Sequence, residues 1–468
     1  MTKIHKTDAA RLTTTAMTNE SPHEQPFDAR ATTPRFLTAD QPGIGGVIRL
    51  RDDDFLVEEI PLYEPAGEGE HAYIFVEKRG LSTMEMVNVI ARHFGVKRRA
   101  IGTAGLKDKR AITRQVVSVH IPGRSIDDVP GLVHDKIAIL WVDLHTNKLR
   151  RGHLKGNRFS IRIRQTDMTR AVTAQRVLDS LATTGVPNRI GRQRFGISLN
   201  NHLIGRAVLR QDWQQAIDLL LGPSETAPES QAEARAAYAV GNFADARALL
   251  PGVLRAERTV LSALAAGMSA REAFARIDAQ ARGFFVSGFQ SAVFNCMLDE
   301  RIEAGTLDTL IAGDVAHRHG SRDEFDVTPE VLAQADTNDR VRALELSPTG
   351  PMWGAEMRRA TGVIDEAELA ALRRAGVEAE QLASARDIDR DIGLGSRRPV
   401  RVPLIDPVVE GGIDGDGNFV RCAFELPRGA FATVALDEIM KNGAPDAPRD
   451  RPTNRPTDQA TDTDTLPS

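Results

Sequence analysis

The chain has 468 residues, 41% of them hydrophobic and 26% charged, with a formal net charge of −4. Those values are ordinary for a globular protein and leave room for roughly two domains of usual size. They exclude a membrane-spanning helix, since no apolar run nears the roughly 18 residues required, and a disulfide-built scaffold, since Cys296 and Cys422 sit in apolar stretches that read as buried free thiols.

Residues 1–35 are polar, rich in Thr, Asp and Ala, and lack the apolar core of a secretory signal; a disordered extension and a cytoplasmic location are expected. Residues 47–60 (VIRLRDDDFLVEEI) look extended, and 72–77 (AYIFVE) alternate as a half-buried strand should. A helix is predicted from about Ser82. Ser82 and Glu85 form a capping box, Met86, Val87, Ile90, Ala91 and Phe94 make its apolar stripe, and Gly95 ends it. Further strands are expected at 115–121, 137–144 and 158–164.

The texture changes after about Gly185. Residues 200–280 are Ala/Leu/Arg-rich with helical spacing, interrupted by a linker at 222–230, and helical patterns return at 289–304 and 365–389. Strand patterns reappear at 400–405 and 418–425. After Gly443 comes a Pro/Asp/Thr tail, 443–468, unable to bury a core. A β-rich start and a β-rich end flanking a helical middle predict an α+β protein: one sheet domain built from both ends, with a second domain inserted in it. Such insertions are easy where the host's cut ends lie close together.

The net charge alone argues against a nucleic-acid binder, but the distribution differs from the sum. Lys97, Arg98, Arg99, Lys107, Lys109, Arg110 and Arg114 stand against one acid, Asp108, between residues 97 and 114. From Lys148 to Arg164 the chain carries Lys148, Arg150, Arg151, Lys155, Arg158, Arg162 and Arg164 with no acid. A basic face on a mildly acidic protein suits a polyanion that binds and then leaves; two solvated charge runs would look the same.

The segment GTAGLKDKRAITRQ, Gly102 to Gln115, is the most informative. Gly102 and Gly105 permit a tight path into a strand. Asp108, between Lys107 and Lys109, suits a carboxylate nucleophile or an ordinary charged turn. In HTNKLRRGHLKGNRF, Gly156-Asn157 reads as a hairpin turn. Alternatively, Asn157 offers its amide to a base edge and Phe159 a stacking face. Phe55, after three aspartates, reads as a core residue of a strand. Phe431, after Gly429 in FELPRGAFATVALDEIMK, reads as part of a strand-to-helix corner. Residues 414–425 mimic a calcium loop, but Phe419 stands where that loop needs Gly, so a Gly/Asp hairpin is expected. His317 and His319 lack companions at zinc spacing, and no Walker A or dinucleotide fingerprint is present. No metal or cofactor is expected.

Taken together, DFLVEEI (54–60), EPAGEGEHAYIFVEKRG (64–80), AGLKDKRAITRQ (104–115), HTNKLRRGHLKGNRF (145–159), GVPNRIGRQRFG (185–196), SAVFN (291–295), PTGPMWG (348–354) and LPRGAFAT (426–433) resemble the TruD family of tRNA pseudouridine synthases, in the family's order over roughly residues 40–440. The resemblance implies a pseudouridine-synthase domain with a mixed or antiparallel sheet (36–184 and 399–442), an inserted α/β TRUD domain (185–398) and an active cleft between them. It implies that Asp108 is the nucleophile. Phe55, Asn157 and Phe431 would contact substrate, Phe159 would pack on the target uracil, and Lys107 would be the nucleophile's basic neighbour. The expected partner is tRNA, with uridine 13 the target and no cofactor. Arg189, Ile190 and Arg192 depart from the family's usual residues there, and the stretch 209–280 is longer than in compact members. Other classes are an RNA-binding protein that remodels tRNA without catalysis, and a glycosidic hydrolase releasing free base.

Overall fold

The computed structural model describes residues 27–442, apart from residues 130 and 389. The expected disorder at 1–26 and 443–468 falls outside the described residues. Strand β1 (Phe55–Pro61) buries Phe55, Val57 and Glu59 and sets Leu56 and Glu58 on its other face, the period-two pattern of a strand against a core. It is followed by β2 (His71–Arg79), β3 (Ile101–Thr103), β4 (Ile112–His120), β5 (Ile137–His145) and β6 (Leu154–Arg164). The middle of the chain supplies β7 (Val186–Pro187), β8 (Val315–Arg318), β9 (Glu324–Asp326), β10 (Leu346–Met352), β11 (Ser396–Pro399) and β12 (Arg401–Val402). Two long strands close the series, β13 (Ile405–Asp414) and β14 (Gly417–Pro427).

Both ends of the chain build one eight-stranded mixed sheet, in the order β13-β14-β6-β1-β4-β2-β5, with β3 pairing β4 off this path. β1 runs parallel to β4 and antiparallel to β6. One half of the sheet packs Phe55, Phe159, Ile161, Val420 and Phe424 against helices Ala171–Thr184 and Ala432–Met440. The other half packs Ala72, Ile74, Val76, Val117 and Val119 against the helix Thr83–Phe94. That helix has the predicted ends. Glu85 N–H donates to Ser82 Oγ, Ser82 N–H donates to the Glu85 carboxylate, and Gly95 takes a left-handed φ of 67°.

The inserted segment is helical around a separate core that includes Ile204, Ile217, Leu261, Phe274, Phe289 and Trp353. Its longest helix, Ala279–Glu303, crosses Asn201–Leu209 so closely that a Cβ on Gly205 would lie 2.2 Å from the Phe285 carbonyl oxygen. The segment also contains a four-stranded sheet, β11-β10-β8-β9, as an α/β insertion implies, although the residue pattern there had read as helical alone. These strands are short, and Pro348 and Pro351 interrupt β10, which conceals a strand pattern. Where the chain leaves the large sheet and returns, β7 and β12 pair with each other. Arg401 ties the junction, its guanidinium donating to the carbonyls of Thr184 (2.5 Å) and Val341 (2.7 Å).

Three further differences from the sequence reading are local. Residues 47–54 are not strand: Asp52–Asp54 form a single 3₁₀ turn, and buried Asp54 accepts from Arg164 Nε at 2.7 and 2.8 Å. Gly156-Asn157 lies within β6 rather than in a hairpin turn. Residues 27–35 are part of the packed structure, because Phe27 of the short helix Phe27–Arg30 meets the rings of His202 and Phe289 at about 6 Å. The hairpin expected at 414–417 is present between β13 and β14, and both cysteines are free and buried. Among the described residues, no helix is long and apolar enough to cross a membrane.

Candidate active site

The loop between β3 and β4 carries Lys107 and Asp108 and is held by its backbone. A Cβ at Gly102 would lie 2.2 Å from the Leu149 carbonyl oxygen, so only glycine admits this entry to the loop. Lys107 N–H donates to Thr83 Oγ1 at 2.8 Å. The Asp108 carbonyl accepts from Lys78 Nζ at 2.8 Å, and the same ammonium donates to the Leu81 carbonyl at 2.6 Å. Lys78 is fully buried on the inward face of β2, and burial pushes its pKa down to about 8 against the attraction of Asp108. Its function in the fold is to pin the main chain of Asp108.

The Asp108 side chain remains 52% exposed, and its Oδ2 accepts from Arg49 Nη2 at 2.6 Å. Arg49 is positioned from two sides. Its backbone adopts a left-handed φ of 60°, and its guanidinium lies 4.2 Å from the centre of the Phe55 ring, which is 1% exposed. Phe55 is therefore a buried platform beneath the guanidinium that meets the carboxylate.

Lys107 points away from solvent. Its side chain is 6% exposed, and its Nζ lies 2.9 Å from Glu59 Oε2 and donates to Asn157 Oδ1 at 2.7 Å. Glu59 and Asn157 are direct cross-strand partners on β1 and β6. Burial raises the Glu59 pKa, and the ammonium of Lys107 opposes that shift. Gly156 is required beside Asn157, since a Cβ there would meet the Leu426 carbonyl oxygen at 2.4 Å across β14.

Phe159 is buried and tilts against Phe424 with ring centres 5.8 Å apart. Phe431 caps the helix Ala432–Met440 after a turn in which Gly429 has a φ of 81°; it is only partly buried and packs on the cluster that contains Phe55 and Phe159. The Gly429 carbonyl accepts from Arg398 Nη2 at 3.0 Å, which joins this turn to the inserted segment. Lys107 and Asn157 are thus in direct contact, Lys107 adjoins Asp108 in the chain, and Phe55 reaches Asp108 through Arg49. Phe159 and Phe431 join through the shared apolar cluster.

Sequence reasoning missed Arg49, Lys78 and Glu59. For the last two a signal existed: Glu59 keeps the strand phase of Phe55 and Val57, and Lys78 that of Ile74 and Val76. A charge in the inward phase of a strand must find a buried partner. Arg49 gives no such signal, since its partner lies 59 residues on.

The large mixed sheet completed by the chain's last strands is the fold of a pseudouridine synthase. A solved structure from Methanosarcina mazei, named as a candidate tRNA pseudouridine synthase D (TruD), superposes with a TM-score of 0.76 at 26% identity, covering 89% of this chain and 98% of that one. Residues 33–439 match the family described as tRNA pseudouridine synthase D (TruD). Relatives named tRNA pseudouridine synthase D include one from Geobacter metallireducens, 42% identical over 417 residues (88% of this chain, 99% of that protein), and one from Thermus thermophilus, 34% identical over 413 residues (88% and 93%). The chain belongs to the TruD family.

Proposed function

We propose that the protein isomerises uridine to pseudouridine in tRNA, at uridine 13, with Asp108 as its nucleophile. The observation that carries this reading is the Asp108 carboxylate: open to solvent, fixed at its backbone by Lys78, and aimed by Arg49. The reaction breaks the N1–C1′ bond, turns the base, and joins C5 to C1′; the proton lost from C5 is balanced by one gained at N1. The net change is an isomerisation, so it draws on no redox partner or phosphate donor. Asp108 assists the cleavage, and the fixed carboxylate removes much of the orientational cost of that step.

A uridine within folded RNA must leave its stack to reach a carboxylate held in a loop, at a cost of a few kcal/mol. Phe431, whose ring is partly exposed, offers a face to the base, while buried Phe55 and Phe159 form the floor beneath it. Asn157 supplies a polar contact. In this reading 36–184 with 399–442 form the catalytic domain and 185–398 the inserted one, a division supported by the β7–β12 pairing at the junction. The exposed members of the basic runs, among them Arg98, Arg99, Arg110, Arg150, Arg151 and Lys155, receive the tRNA backbone, and the protein acts in the cytoplasm.

The test is Asp108→Asn, which keeps the side chain's shape. Pseudouridine formation in unmodified tRNA is expected to fall by on the order of 10⁴-fold or more while tRNA affinity is retained. A variant that modifies tRNA at nearly the normal rate removes Asp108 from the mechanism.

A further inference from the structure

Lys107 stands beside the proposed nucleophile, yet its ammonium is committed to Glu59 and Asn157 within the protein. We propose that the buried Glu59–Lys107 pair fixes which way the Asn157 amide faces, and so makes the site select the carbonyl of uracil over the exocyclic amine of cytosine. The inference rests on the reading of Asn157 as a contact to the everted base.

The orientation follows from donor chemistry. An ammonium has three N–H donors and no acceptor. At 2.7 Å from Lys107 Nζ, the atom of Asn157 facing it must be the carbonyl oxygen; a flipped amide would set donors against donors. Burial and pairing hold Lys107 in this position. Its side chain is 6% exposed, and leaving would strand the Glu59 carboxylate, itself 1% exposed, without its counter-charge. Glu59 cannot follow it, because Glu59 lies on the central strand β1, paired with β6 through the Glu59–Asn157 register, and its second oxygen accepts from Val116 N–H at 3.4 Å. The three residues therefore form a chain in which each fixes the next: carboxylate, ammonium, amide oxygen.

The remaining end of the amide is Nδ2, with no protein partner among the described residues. Asn157 is half-buried, so that end is the part of the residue available to a ligand. It can only donate. Uracil presents an acceptor, O4, where cytosine presents the N4 amine, a donor. A cytosine in the same position would leave two donors facing each other in a partly desolvated site, a mismatch that costs binding. An asparagine free to flip would adapt to either base. Glu59 and Lys107 are thus positioning residues that act through Asn157.

The experiment uses the full chain carrying Asp108→Asn, so that binding is read without turnover, and two tRNA transcripts differing only in uridine or cytidine at the target position. Uridine tRNA is expected to bind at least about tenfold more tightly. Adding Glu59→Gln and Lys107→Met together removes both charges, avoiding an unpaired buried ion. The ratio should then fall to within about threefold of unity, with the thermal transition still present. Asn157→Asp, with the pair intact, puts an acceptor in place of the donor and should turn the preference toward cytidine. Equal binding of both transcripts to the parent, a ratio unchanged in the double variant, or a uridine preference kept by Asn157→Asp would each overturn the inference. Pseudouridine formation by the wild-type chain reports separately on the proposed function. If that activity is present while the ratio fails to move, the base-selection inference alone is lost.

Discussion

Replacing Arg49 with methionine separates catalysis from stability in a way the geometry lets one estimate. The substitution removes a 2.6 Å ion pair to Asp108 and a guanidinium stacked 4.2 Å from the Phe55 ring. The paired side chains are 34% and 52% exposed, so solvent already screens much of their attraction. Pairs of that kind contribute about 0.2–1 kcal/mol to stability, and a cation–π contact at such a site about 0.5–1 kcal/mol. The folded state should therefore lose less than about 2 kcal/mol, a shift of a few degrees in Tm. Catalysis should lose more, because the carboxylate is then free to rotate, and a misplacement of about 1 Å costs on the order of 10²-fold, or about 2.7 kcal/mol. Single-turnover conversion of uridine to pseudouridine in tRNA, with enzyme in excess, measures the rate; a melting curve on the same sample measures the fold. Arg49→Lys should fall between, since it keeps the charge but loses the planar fork that meets the carboxylate. A rate for Arg49→Met within about threefold of wild type would refute the claim that Arg49 aims Asp108. So would a rate loss that merely tracks unfolding.

Other expectations concern the frame around the site. Glu368→Gln should destabilise the protein by about 3–5 kcal/mol, read as a lower urea midpoint, because it leaves the fully buried Arg397 without its two-pronged carboxylate partner at 2.7 and 2.8 Å. Gly205→Ala should cost about 1–3 kcal/mol by forcing apart the helices that cross at the Phe285 carbonyl, with the rate per folded molecule unchanged. Lys78, held down to about 8, binds its proton less tightly when folded than when unfolded. Between about pH 8 and the ordinary lysine range the unfolded chain holds more protons, so this group's contribution to stability rises with pH there and is constant below that window. Urea midpoints of wild type and Lys78→Met at pH 7 and pH 9.5 should accordingly diverge, wild type gaining on the order of 1–2 kcal/mol relative to the variant. A difference independent of pH would contradict it.

The sequence disclosed what is local. The helix Thr83–Phe94 was readable to the residue at both ends, because a capping box and a C-terminal glycine act within one turn. Alternation located β2, and apolar runs of strand length located β4, β5, β6 and β14. Strand β13 was concealed by the left-handed Asp406, Pro407 and the pair Gly411-Gly412, none of which favours a strand on propensity. Gly156-Asn157 suggested a turn because the reason for its glycine, the carbonyl of Leu426, comes from a strand at the far end of the chain. The site divides in the same way. Lys107 and Asp108 stood out in one short run. Their partners, Glu59, Arg49 and Asn157, are brought in by strand pairing and loop packing, which adjacency in sequence does not encode.

The order of strands has a consequence for how the protein is made. β6 is flanked by β1 on one side and β14 on the other, and β14 emerges from the ribosome only after everything from Gln165 to Asp416. Throughout that interval one edge of β6 lacks its partner, a row of backbone donors and acceptors open to mispairing.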